Sequence, residues 1–189
     1  MKHVGKSYDK VDAKGILSGK PSYTGDFVPK DALIIKVLRS PHAQARIKSI
    51  DTSKAKLIPG VEAIFTYEDV PNTRFTLAGQ TYPEPSAYDA LILDSIVRYV
   101  GDEVALVVAK DEATALKAMP LIKVEYEVQK PVLDLRTAMD HETVVHPEDD
   151  ILNHIPVGQD YKRNICVSYH KRVGDIEGEL AKCDYVVEG

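Results

Sequence analysis

The longest uninterrupted apolar run in this chain, Val104–Ala109, is only strand-sized. A bilayer-spanning helix needs roughly 18–20 apolar residues, so no membrane segment is read. The remaining apolar runs are also short. Several are β-rich, and brief helical patterns punctuated by Gly and Pro separate them, which predicts a mixed α+β domain with short helices. With 44% hydrophobic and 28% charged residues over 189 positions, the chain is too apolar for a disordered one and can bury a core.

Asp31–Arg39 reads as the first strand, and its Leu33, Ile34, Ile35, Val37 and Leu38 predict cover on both faces. Ala45–Ile50 and Val61–Thr66 read as further strands. Between them Asp51-Thr52-Ser53 offers cap chemistry for a short helix over Lys54–Leu57, and Tyr67–Val70 reads as a helical turn. Ile96–Val100 and Glu103–Ala109, linked by Gly101-Asp102, predict a β-hairpin, because glycine takes the positive φ of a primed turn. Asp111 caps a helix to about Met119, ended by Pro120. Leu121–Val128 alternates apolar and charged residues, as a half-exposed strand does, and Asp134 caps a short helix over Asp134–Met139.

The first thirty residues read as a polar lead with a short strand at Ser22-Tyr23. Residues 71–90 form a long irregular loop, of a length that in compact domains usually goes with function or partner contact. Residues 141–163 read as a polar linker, followed by a strand over Asn164–Arg172, a helix over Ile176–Lys182 and a strand beginning at Tyr185–Glu188. Val186 and Val187 would need a covering neighbour, which predicts a chain that continues past Gly189.

The residues exclude much chemistry. A net charge of −5 with scattered lysines argues against nucleic acid. No histidine pair has HxxxH spacing, and neither Cys166 nor Cys183 sits in CxxC. The cluster of His146, Glu148, Asp149, Asp150 and His154 reads as a solvated loop before it reads as a metal site. Ser40-Pro41-His42 offers adjacency rather than a catalytic triad, and GxSxG, Walker A and GxGxxG motifs are absent. Gly15–Lys20 has the wrong spacing for a phosphate loop. The pairs Glu68/Asp69, Asp102/Glu103 and Asp149/Asp150 read as turns. No catalytic, cofactor-binding or metal-ligating residue is assigned. Two cysteines and no leader-like start fit a cytoplasmic protein with reduced thiols.

Several blocks together resemble the large subunits of molybdenum hydroxylases, the xanthine dehydrogenase and aldehyde oxidase family. Arg39–Ser53, RSPHAQARIKSIDTS, resembles the family's RSPHAHARI…IDTS stretch, with Gln44 in the place of a histidine. Pro59-Gly60-Val61, Glu68–Pro71, the VRYVGDEVALVVA of Val97–Ala109, Val124–Glu127 and Pro131-Val132 follow in the family's order. Val4-Gly5-Lys6, Tyr23–Asp26, Gly174-Asp175 and Cys183–Gly189 resemble its flanking segments.

The resemblance implies an α/β-hammerhead domain over 1–140, a linker over 141–163 and, from 164 to 189, the start of a truncated molybdopterin-binding region. It implies an inactive fragment of a xanthine dehydrogenase-like oxidoreductase that hydroxylates a heterocycle or aldehyde. The molybdopterin–molybdenum cofactor would belong to the downstream domains, and iron–sulfur and FAD groups to partner chains. Self-association into a homo-oligomer stays open. The alternative is a stand-alone interaction or carrier-like module. A carrier needs a lysine at a hairpin tip, and Gly101-Asp102 has none.

Overall fold

The computed structural model describes residues 3–20, 23–79 and 86–188. The elements, in chain order, are α1 (Ala13–Leu17), β1 (Ile34–Arg39), β2 (Ala45–Asp51), α2 (Ser53–Lys56), β3 (Val61–Phe65), β4 (Ile96–Val97), β5 (Glu103–Ala109), α3 (Glu112–Ala118), β6 (Lys123–Val128) and α4 (Ile176–Leu180). Short 3-10 turns lie at Thr24–Phe27, Met119–Leu121, Leu135–Thr137 and Tyr161–Arg163. The architecture is α+β, with two antiparallel three-stranded sheets ordered β1-β5-β3 and β4-β2-β6.

The apolar run of β5 is the centre of the first sheet and is buried on both faces. Ala105, Val107 and Ala109 pack with Ala55, Ile64, Ala115 and Ala118 under the helices. On the opposite side Val104 joins Ala45, Ile47 and Val97 of the second sheet. The small residues Ala115 and Ala118, three apart on α3, let the helix lie close on the sheet. Asp111 starts that helix as expected, its Oδ1 accepting from the Thr114 amide at 2.7 Å. A tight turn over Met119–Leu121, with Pro120 inside it, ends the helix before β6. That strand alternates half-buried Val124 and Tyr126 with exposed Glu125 and Glu127, as the sequence predicts.

The structure corrects four expectations. β1 is not covered on both faces. It is an edge strand, and while Leu38 reaches the core, Ile35 stands 57% exposed on the other face. Residues 96–97 and 103–109 do not form a hairpin, because β4 pairs with β2 and β5 pairs with β1 and β3. The link between them crosses from one sheet to the other. Asn164–Arg172 and Tyr185–Glu188 are not strands, since neither has a neighbouring strand to pair with among the described residues; the former makes an isolated bridge, Asp160 to Ile165, and a bond from the Ser168 amide to the Val157 carbonyl at 2.9 Å. The strand expected at Ser22-Tyr23 falls partly outside the described residues, and Tyr23 itself leads into a 3-10 turn.

Residues 141–163 lie against the body that holds the two sheets. Their path is fastened by side chains described next, and Tyr88 and Leu152 bridge across it.

Candidate functional site

The crossing between the sheets is held by a dense set of hydrogen bonds. Gly101 turns the chain at φ +100°, where a side chain would be strained. Its amide donates to the Ser40 carbonyl at 2.8 Å, and the Ser40 amide returns a 2.8 Å bond to the Asp102 carbonyl. The Asp102 carboxylate accepts from the amides of Arg98 at 2.7 Å and Glu103 at 3.0 Å. Burial pushes its pKa up, and those two amides only partly offset this.

Arg98, at the start of the crossing, has a side chain 13% exposed. Its Nη1 donates to Asp94 at 2.8 Å and to the Ile96 carbonyl at 3.2 Å. Its Nε donates to the Val145 carbonyl at 3.1 Å, and its Nη2 pairs with Glu148. Burial pushes Glu148 upward, but the His146 ring and the Arg98 guanidinium overcome this and hold its carboxyl down at about 2. His146 Nδ1 lies 3.5 Å from Glu148 Oε2, and its Nε2 lies 3.9 Å from Asp89. A second arginine, Arg74, has a side chain 9% exposed and donates to Asp150 at 2.7 Å and to the Asp89 carbonyl at 2.9 Å.

Several open cavities flank this seam, among them one of about 460 Å³ lined by Arg46, Arg74, Asp94, Glu148 and Asp150. Another, of about 540 Å³, is lined by Ala87, Val132, Val145, His146, Tyr161 and Cys166 among others. A third, of about 410 Å³, includes Phe75, Leu91, Arg98, Tyr99 and Asp102, with His146 on the wall these last two share.

The structure disperses the other residues singled out in the sequence. Ser40 Oγ donates to the His42 carbonyl and accepts from the His42 amide, both at 3.0 Å, so this pair closes a turn. The His42 ring meets Tyr126 edge-on, with centroids 4.8 Å apart. Asp69 closes the turn after β3 by accepting from the Thr66 amide and hydroxyl, both at 2.8 Å. The residues 146–154 read as a solvated loop are only partly solvated, since Glu148 is buried against Arg98 and His146. Asp149 faces Lys162, the His154 ring meets Tyr88 edge-on, and no group of three metal-ligating side chains occurs among the described residues.

Sequence reasoning missed Arg98, Arg74 and Asn164. The one local signal was the spacing of Glu148 and Asp150, two apart, around an exposed Asp149. Chemically the seam is a set of fastened charges: Nε, Nη1 and Nη2 of Arg98 are all engaged.

The sequence matches the family model described as aldehyde oxidase and xanthine dehydrogenase, a/b hammerhead domain, over residues 18–130. It is 39% identical over 209 residues to a probable hypoxanthine oxidase, XdhD, of Escherichia coli (strain K12), covering 98% of this chain and 22% of that protein. It is 29% identical over 187 residues to the nicotinate dehydrogenase large molybdopterin subunit of Eubacterium barkeri, covering 98% of this chain and 39% of the subunit. Among solved structures, the Cu,Mo-CO dehydrogenase in its carbon monoxide reduced state is similar with a TM-score of 0.66 and 29% identity. The likeness covers 96% of this chain and 23% of that one. The chain thus spans less than half the length of these relatives, and it belongs to the family of aldehyde oxidase and xanthine dehydrogenase a/b hammerhead domains.

Proposed function

We propose that this chain is the N-terminal structural domain of a xanthine dehydrogenase-like molybdenum-binding subunit. Residues 1–140 are the hammerhead domain, 141–163 connect it onward, and 164–189 begin the molybdopterin-binding region. The full-length cytoplasmic enzyme hydroxylates a heterocycle or aldehyde with oxygen from water, and electrons leave through its molybdenum centre. Iron–sulfur and FAD groups sit on partner chains. This stretch buttresses that machinery and contributes no catalytic residue.

The observation that carries the reading is that nearly the whole chain matches less than a quarter of a molybdenum-containing dehydrogenase, at a TM-score that extends the likeness beyond sequence. The pairing of the seam's buried cations supports the reading that this stretch holds no phosphate-bearing pterin. Arg98 and Arg74, the buried cations beside the cavities, are already neutralised by Asp94, Glu148 and Asp150.

Two measurements test this. The chain purified alone is expected to hold no molybdenum by elemental analysis and to give no dye-coupled dehydrogenase turnover; measurable turnover overturns the reading. Grafted into the Escherichia coli relative in place of the matching segment, it is expected to leave a molybdenum-loaded, active enzyme. A graft that folds but loads no molybdenum counts against it.

A further inference from the structure

The motif His146-Pro147-Glu148-Asp149-Asp150 has no part in the proposed function, yet its partners alternate in a regular way. Glu148, with a side chain 14% exposed, meets Arg98. Asp149, 92% exposed, turns outward to Lys162. Asp150 turns back to Arg74. Further along, the Leu152 carbonyl accepts from the Tyr88 amide at 2.9 Å. Positions 145, 148, 150 and 152 are therefore each fastened to the body.

We infer that Arg98 and Arg74 form a double ionic latch that closes residues 145–152 onto the hammerhead and opens separately from the β-sheet core. Arg98 is then a positioning residue, fixing the course of the chain from the hammerhead to the catalytic remainder of the enzyme. This last part rests on the proposed function; the latch itself does not.

The chemistry calls for arginine. Nη1 is committed to Asp94 and the Ile96 carbonyl on the hammerhead, while Nε and Nη2 face Val145 and Glu148 on the strap. One planar guanidinium joins the two sides, which the compact ammonium of lysine cannot do. Because both partners are largely buried, removing either leaves an uncompensated charge. Exposed pairs such as Lys130–Glu142 carry little by comparison.

The test is hydrogen–deuterium exchange of the full-length protein, comparing wild type with Arg98→Gln, Arg98→Lys, Glu148→Gln and the double variant Arg98→Gln/Glu148→Gln. Each single change is expected to speed exchange in residues 144–154 by about tenfold or more, leaving Glu103–Ala109 unchanged. The double variant is expected to exchange no faster than the faster single. Unchanged exchange at 144–154, additive singles, full protection in the lysine variant, or equal acceleration through β5 overturns the latch. For positioning, Glu148→Gln is expected to lower kcat at unchanged KM with molybdenum content retained. An opened strap with unchanged kcat overturns that role. Wild-type full-length protein without molybdenum overturns the proposed function instead, and the exchange data then decide the latch alone.

Discussion

Asn164 sits at φ +58°, a left-handed backbone that asparagine tolerates better than most residues. Its Oδ1 accepts from the Val145 amide at 2.8 Å, and its Nδ2 donates to the carbonyls of Ala138 at 3.0 Å and Thr143 at 2.9 Å. One side chain thus gathers the two ends of the 138–145 loop beside the strap. Asn164→Ala gives up these bonds and keeps a strained backbone, and is expected to cost about 2–3 kcal/mol. Asn164→Gly relieves the strain and is expected to cost about 1 kcal/mol less. Thermal unfolding followed by circular dichroism orders the pair, and equal losses would refute the backbone part of the argument. No sequence rule points to Asn164, because its partners lie 19 to 26 positions away and only the folded loop brings them near. Asp111, by contrast, was readable, since a cap acts on an amide three residues ahead.

At the scale of elements, local pattern and observed structure agree where an element depends on its own residues. The apolar run of β5, the alternation of β6 and the capped start of α3 all stand as the sequence predicts. They part where pairing decides. The Gly101-Asp102 link has a glycine at positive φ, as a hairpin needs, but the strands on either side join different sheets, and nothing local encodes that choice. β1 looked buried because its apolar residues are continuous, yet its place at the edge of the sheet leaves Ile35 in solvent. Burial also ranks the strands. Val107, fully buried in the centre of β5, is expected to lose about 2–3 kcal/mol on Val107→Ala. Asp111→Ala at the start of α3 is expected to lose about 1 kcal/mol. Urea unfolding curves of the two variants check the order, and the reverse order would contradict the central placement of β5.

Over the whole molecule, the family was readable from ordered blocks of sequence, and the match over residues 18–130 bears it out. The last stretch was less readable. Tyr185 and Val187 are more than nine-tenths exposed, and the strand their pattern suggests has no neighbour among the described residues. The two sheets behave differently from that tail. Leu38, Ile50 and Val124 pack against both core clusters, the one under the helices and the one between the sheets. Each of the three is a party wall between adjoining rooms, so neither cluster can loosen without exposing the other. The hammerhead is therefore expected to melt as one thermodynamic unit despite its divided hydrogen bonding, with calorimetric and van't Hoff enthalpies in agreement for that transition. Two resolved transitions within residues 34–128 would show that the wall is not shared. Tinkering with one sheet in such a design carries its consequences into the other.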